Sequence, residues 1–206
     1  MKTLWIVLIP TLALVTSSRF SENKSSTTSD VSSTTVGKAD SLREGDSATM
    51  FVLRDIKTDE PIYLRDYTGK ILRERSKNKE HQVVVLSFWS TWCEPCKIEI
   101  PRLTKLAGEF RGKPVQFFLI NTMEERSTTE DSIRAVYESR GYTLPCLVDA
   151  TRRVAVRYTV HALPMIVIID KEGTVRKVLR GFHEDSYQEF SELLKRLVEQ
   201  DQSQSK

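Results

Sequence analysis

The chain is predicted to be an α/β protein with a central mixed sheet flanked by helices, and three observations predict it. Residues 83–89, 115–120 and 165–169 are near-continuous apolar runs of strand length, as expected for central strands covered on both faces. Helical patterns separate the runs, which points to parallel pairing of these strands through crossovers. A turn signal, Asp170-Lys171-Glu172-Gly173, follows the third run and would bring residues 175–179 back as an antiparallel edge strand.

The chain has 206 residues, enough for one sizeable domain with accessories. Residues 1–17 open with Lys2 and continue into an apolar run, residues 4–15, interrupted by Pro10 and followed by small residues. This reads as a secretory signal, or a short anchor, since about 12 apolar residues fall short of the ~20 that span a bilayer. Residues 18–44 are rich in Ser and Thr and too poor in large apolar side chains to offset the entropy of ordering, so a flexible spacer is expected. The globular domain is expected over residues 45–200, with a polar tail at 201–206.

Within the domain, residues 50–53 and 61–64 read as a β-hairpin turning at Lys57-Thr58-Asp59-Glu60. Residues 70–81 are polar and basic, and read as a solvated loop or a docking patch for an acidic partner. A helix over 130–140 buries Ile133, Val136 and Tyr137 and stops at Gly141. Residues 144–148 form a weaker strand candidate holding Cys146, which suits a buried small hydrophobe, the alternative being a third redox thiol. A last helix starts near Ser186, with Glu189 completing a capping box and Phe190, Leu193, Leu194 and Leu197 on its apolar face.

Composition excludes several classes. A net charge of +3 is too small for a nucleic-acid binder, so no nucleic-acid partner is expected. Three cysteines exclude a dense disulfide scaffold. Cys146 and the three histidines lack the paired spacing of a structural zinc site, so no metal and no cofactor is expected.

The chemistry is concentrated at Trp92-Cys93-Glu94-Pro95-Cys96, between an apolar strand and an amphipathic helix. Cys93 would sit at the helix N-terminus, where free N–H groups and the dipole favour the thiolate that attacks a disulfide. Cys96, one turn later, can attack the mixed disulfide and release the substrate. On a helical wheel Glu99 falls in the same arc as Cys96, Ile100, Leu103, Leu106, Ala107 and Phe110. Burial there would raise its pKa and let it take a proton from Cys96. The alternative is a first-turn acid that complements the dipole and bends out to water. Trp89 would be core beneath the site and Trp92 a partly exposed docking surface. Glu94 adds negative charge near Cys93 and would disfavour its thiolate, predicting a reductant rather than a strong oxidant.

Phe88-Trp89-Ser90-Thr91-Trp92-Cys93-Glu94-Pro95-Cys96, with Glu99 and Pro101, resembles the TlpA/ResA-like branch of extracytoplasmic thiol–disulfide oxidoreductases in the thioredoxin superfamily. The resemblance extends to Gly45, Ala48, Phe51 and Leu53 at the domain start and to Ala162-Leu163-Pro164 before the third run. It implies a thioredoxin-like fold with an N-terminal β-hairpin and an inserted helix-strand segment near 130–149. It also implies that Cys93 and Cys96 form a redox disulfide, and that Pro164 is a cis-proline beside the cysteines, presenting Leu163 to substrate. Substrates would be protein thiols and disulfides of the cell envelope, with cytochrome c maturation one possibility, and a membrane disulfide relay would donate electrons. Ser87 stands where cytoplasmic thioredoxins carry a buried aspartate, which increases the weight on Glu99. Thr49 and Met165 also depart from the branch's common residues, and residues 71–82 look like an insertion.

Two other classes compete with this enzyme. A non-catalytic thioredoxin-fold binding module would have no need of both thiols. A thiol peroxidase usually carries proline seven and threonine three residues before its attacking cysteine, where this chain has Leu86 and Ser90.

Overall fold

The computed structural model describes residues 41–76, 78, 80–181 and 186–199, all within the second of the chain's two compact units, Lys38–Lys206. The expected signal segment, most of the expected spacer, His183 and the polar tail lie outside the described residues. No helix among the described residues is long and apolar enough to cross a membrane.

Seven strands form one mixed sheet: β1 (Val52–Asp55), β2 (Pro61–Tyr63), β3 (Val83–Trp89), β4 (Val115–Asn121), β5 (Cys146–Val148), β6 (Met165–Ile169) and β7 (Val175–Arg180). Their order is β2-β1-β5-β4-β3-β6-β7. Every residue of β3 is buried. Strand alternation sends Val83, Val85 and Trp89 into one apolar cluster and Val84, Leu86 and Phe88 into the other. The first cluster is closed by α1 (Glu94–Glu109), α2 (Glu130–Ser139) and α4 (Ser186–Glu199). The second is closed by α3 (Arg153–Arg157) and the N-terminal segment.

The three long apolar runs do not all pair in parallel as expected. β3 and β4 are parallel, but β6 runs antiparallel to β3, with Phe88 opposite Met165. The connecting helices explain the difference. At about 1.5 Å per residue, the 16 residues of α1 cover about 24 Å, the length of a seven-residue strand, and return the chain to the start of the sheet. The five residues of α3 cover only about 8 Å, so the chain re-enters the sheet at the edge it left. The sequence reading also passed over α3, whose N-cap, Arg152, sits at φ 57 without a side-chain cap.

The hairpin forms at its expected place. Asp55 accepts from the N–H groups of Lys57 and Thr58, and Asp59 takes the left-handed conformation at φ 55. Within 70–81 the polar side chains converge on Asp66: Arg73 pairs with its carboxylate at 2.6 Å, and Ser76 and Asn78 bond its carbonyl. The Arg73 guanidinium also lies 3.5 Å from the Tyr63 ring centre.

Tertiary contacts begin before Gly45. Leu42 is buried in the second cluster, its N–H donates to Thr159 Oγ1 at 2.8 Å, and Arg180 donates to its carbonyl at 2.9 Å. Tyr158 continues this anchorage by donating its hydroxyl to the Thr49 carbonyl at 2.9 Å. Leu42→Ala should therefore lower the unfolding free energy by about 2 kcal/mol, read from denaturant melts. A loss below about 0.5 kcal/mol would place residue 42 outside the cooperative fold.

Candidate active site

The Cys93-Glu94-Pro95-Cys96 loop leaves β3 through Ser90-Thr91-Trp92 and opens α1. Cys93 is the N-cap, with extended backbone, and its Sγ accepts from the Cys96 N–H at 3.3 Å. A sulphur thus satisfies one of the donors that a helix N-terminus leaves unpaired. Pro95 lies in the first turn, where its missing N–H costs nothing. Cys93 and Cys96 are joined in a disulfide with Cα atoms 5.3 Å apart.

In this oxidised state the two cysteines are alike in exposure. Cys93 is 2% exposed and Cys96 1%. The disulfide turns the Cys93 sulphur over the helix end, toward Cys96 and away from solvent. Trp92 is half exposed and Trp89 is buried beneath, both as expected. Glu94 is exposed but forms an ion pair with Lys97 one turn on, so the charge between the cysteines is a neutralised one. The pairing holds the Glu94 carboxyl below its ordinary range.

Glu99 is buried, which removes the alternative of a carboxylate bent out to water. Burial pushes its pKa up to about 7, and a hydrogen bond from Ser87 opposes the rise. Ser87 Oγ donates to Glu99 Oε1 at 2.8 Å. In the sequence Ser87 stands out only as the replacement of a buried acid. The signal was present, since a period of two puts Ser87 on the strand face shared by Val85 and Trp89, the face that α1 covers. Tyr187, on α4, lies within reach of the same charge; burial first, then Glu99, raises its phenol pKa.

The Leu163–Pro164 peptide bond is cis. Because Met165 pairs with Phe88, this turn lies at the same sheet edge as the Ser90–Cys93 loop. Leu163 is partly buried against both apolar clusters, and Pro164 is buried. Cys146 is buried and unbridged, and burial pushes its thiol up to about 12. A cavity of about 430 Å³, lined in part by Asn121, Glu124, Asp149 and Arg152, lies at the ends of β4 and β5 and includes neither cysteine of the disulfide.

This geometry is a redox dithiol with a buried acid one turn away. Residues 45–178 match the AhpC/TSA family. The chain belongs to that family, in the company of ResA-like thiol–disulfide oxidoreductases. It is 32% identical over 154 residues to the thiol-disulfide oxidoreductase ResA of Halalkalibacterium halodurans, covering 74% of this chain and 78% of the relative. It is 33% identical over 142 residues to ResA of Bacillus subtilis, covering 69% and 70%. Among solved structures, the exposed lipoprotein thioredoxin of Streptococcus pneumoniae superposes with a TM-score of 0.57 at 26% identity, over 71% of this chain and 100% of that one. The chain is accordingly a thiol–disulfide oxidoreductase with a thioredoxin-like fold.

A carboxyl held at about 7 rather than 4.5 costs on the order of 3 kcal/mol to ionise in place. The folded value lies above the unfolded one, so this cost is absent below about pH 4.5, grows as pH rises and is complete above about 7. The oxidised protein should be less stable at pH 8 than at pH 5, and Glu99→Gln should flatten that dependence in denaturant melts at the two pH values. Ser87→Ala should move the Glu99 titration higher, since it removes the bond that favours the carboxylate. An unchanged stability profile in Glu99→Gln would show that the carboxyl titrates in contact with water.

Proposed function

We propose that the protein is an exported reductant of protein disulfides and that Glu99 handles the proton in its resolving step. The observation that carries this reading is the buried Glu99, bonded by Ser87 and one turn from Cys96 on the same helix face. In the reduced enzyme the Cys93 thiolate attacks a substrate disulfide. An S–S bond forms between Cys93 and the substrate, and the displaced sulphur leaves with the electron pair. The Cys96 thiol passes its proton to the Glu99 carboxylate and attacks Cys93 Sγ. The Cys93–Cys96 disulfide forms, and the substrate's second sulphur is released as a thiolate. At pH 7 a carboxyl titrating near 7 is about half ionised, so it can accept this proton and give it up again. Trp92, Leu163 and Pro164 form the edge on which substrate backbone docks.

The direction of electron flow rests on different support than the sequence suggested. Lys97 offsets Glu94, so that charge contributes little. The reductant reading rests instead on the dipeptide between the cysteines: Glu94 and Pro95 supply no cation or histidine to stabilise the thiolate, as a strong oxidant would need. Export is supported by the apolar run at residues 4–15 and by the kinship with an exposed lipoprotein thioredoxin. The substrates proposed are envelope proteins, maturing c-type cytochromes among them, with electrons returned by a membrane disulfide relay.

Cys96→Ala should trap substrate proteins as mixed disulfides on Cys93, while Cys93→Ala traps none. In the reduced wild type, alkylation should label Cys93 ahead of Cys96 and Cys146; the reverse order would exchange their roles. Equilibration with glutathione or dithiothreitol should give a potential nearer about −270 mV than about −120 mV, and a value at the oxidising end would refute the reductase reading. Glu99→Gln should slow release of the mixed disulfide and remove the inflection near pH 7 from its rate profile.

A further inference from the structure

The lip of the site, Ser90-Thr91-Trp92, is tied residue by residue to the loop that follows β4. The Thr122 N–H donates to the Trp89 carbonyl at 3.0 Å, and Ser90 Oγ donates to the Thr122 carbonyl at 2.9 Å. The Trp92 indole N–H donates to the Met123 carbonyl at 3.1 Å. Glu124 closes the set. Its Oε1 accepts from the Thr91 N–H and from Asn121 Nδ2, both at 2.7 Å, and its Oε2 accepts from Thr91 Oγ1 at 2.7 Å. Arg152 in turn donates to the Glu124 carbonyl.

Two features make this more than loop decoration. Met123 takes the left-handed conformation at φ 58, an uncommon and costly one for a side chain of its size. That turn lets the Met123 carbonyl meet the Trp92 indole while Glu124 meets Thr91. The three donors to Glu124 also match an ionised carboxylate, which accepts only, and bonds to a charged acceptor are the stronger kind. Trp92 is half exposed and its ring is held in place by one hydrogen bond and the backbone beneath it. Nothing in the dithiol chemistry requires Glu124, since its hydrogen-bond partners are Thr91, Asn121 and Arg152 and neither cysteine of the disulfide.

We infer that Glu124 is a positioning residue for substrate choice: through Thr91 it fixes the Trp92 lip in the orientation that a folded or extended protein substrate meets. The inference rests on the reading of Trp92 as a substrate contact. A protein disulfide must dock along the lip before its sulphur reaches Cys93, whereas a small disulfide reaches the sulphur without using the lip. Loss of the brace therefore discriminates between the two substrate classes. A glutamine at 124 retains an oxygen for the Thr91 N–H, and its amide can donate to a reoriented Thr91 hydroxyl, so it preserves the brace without the charge.

The test compares kcat/KM for reduction of a disulfide-bonded protein such as insulin with that for oxidised glutathione. Glu124→Ala should lower the protein-to-glutathione ratio about tenfold, mainly through KM, and Glu124→Gln should hold it within about twofold of wild type. Trp92→Ala should lower the same ratio, and the double variant Trp92→Ala/Glu124→Ala should be no worse than Trp92→Ala alone, because both remove one interaction. A Glu124→Ala ratio equal to wild type, with Trp92→Ala impaired, would overturn the brace and leave the docking role of Trp92 standing. A Trp92→Ala ratio equal to wild type would overturn the docking role itself and the inference with it. Equal loss toward both substrates in Glu124→Ala, not rescued by glutamine, would mark Glu124 as a general stabiliser of the loop and would also overturn the inference.

Discussion

Seven consecutive buried residues leave β3 without a polar face, and that constraint organises what surrounds it. Both faces must be covered, so helices pack on one side and the N-terminal segment with α3 on the other. The strand also ends abruptly, at Trp89, where the chain must leave the core and turn. The dithiol stands at that exit. Its rigidity comes from the sheet behind it, where Phe88 is paired on both sides, to β4 and to β6, and Trp89 is paired to β4. The cis turn at Leu163–Pro164 shares the edge because β6 starts there. The redox centre is thus a property of where one buried strand stops.

Within this otherwise apolar strand Ser87 is the single polar side chain, and its hydroxyl donates to Glu99. A hydroxyl is a modest partner for a buried acid. It satisfies one lone pair without supplying a charge, so the carboxyl keeps a pKa near neutrality instead of being drawn down as an arginine would draw it. An aspartate at position 87 would place two acids together and spread the proton between them. The serine leaves one acid with one titration.

The strands and the main helices were legible in the sequence because each carries its own local pattern. Continuous apolar runs located β3, β4 and β6, and the wheel that grouped Glu99 with Ile100 and Leu103 found its burial. What escaped depends on contacts between distant segments. The Ser87–Glu99 bond joins two periodicities, one of two and one of 3.6, and is visible only when strand and helix are superposed. Thr91 and Glu124 are 33 residues apart, in loops with no pattern to read. The direction of β6 follows from the length of a helix too short to leave a periodic trace.

The third cysteine has a bearing on fidelity. An enzyme that forms and breaks S–S bonds carries the means of scrambling itself, and an odd cysteine is the natural place for that error. Burial pushes the Cys146 thiol up to about 12, so the nucleophilic thiolate is scarce at neutral pH. Burial adds a steric barrier to that chemical one. In the proposed cycle the disulfide partner left to Cys93 is Cys96, and electrons are not diverted into a dead-end bridge.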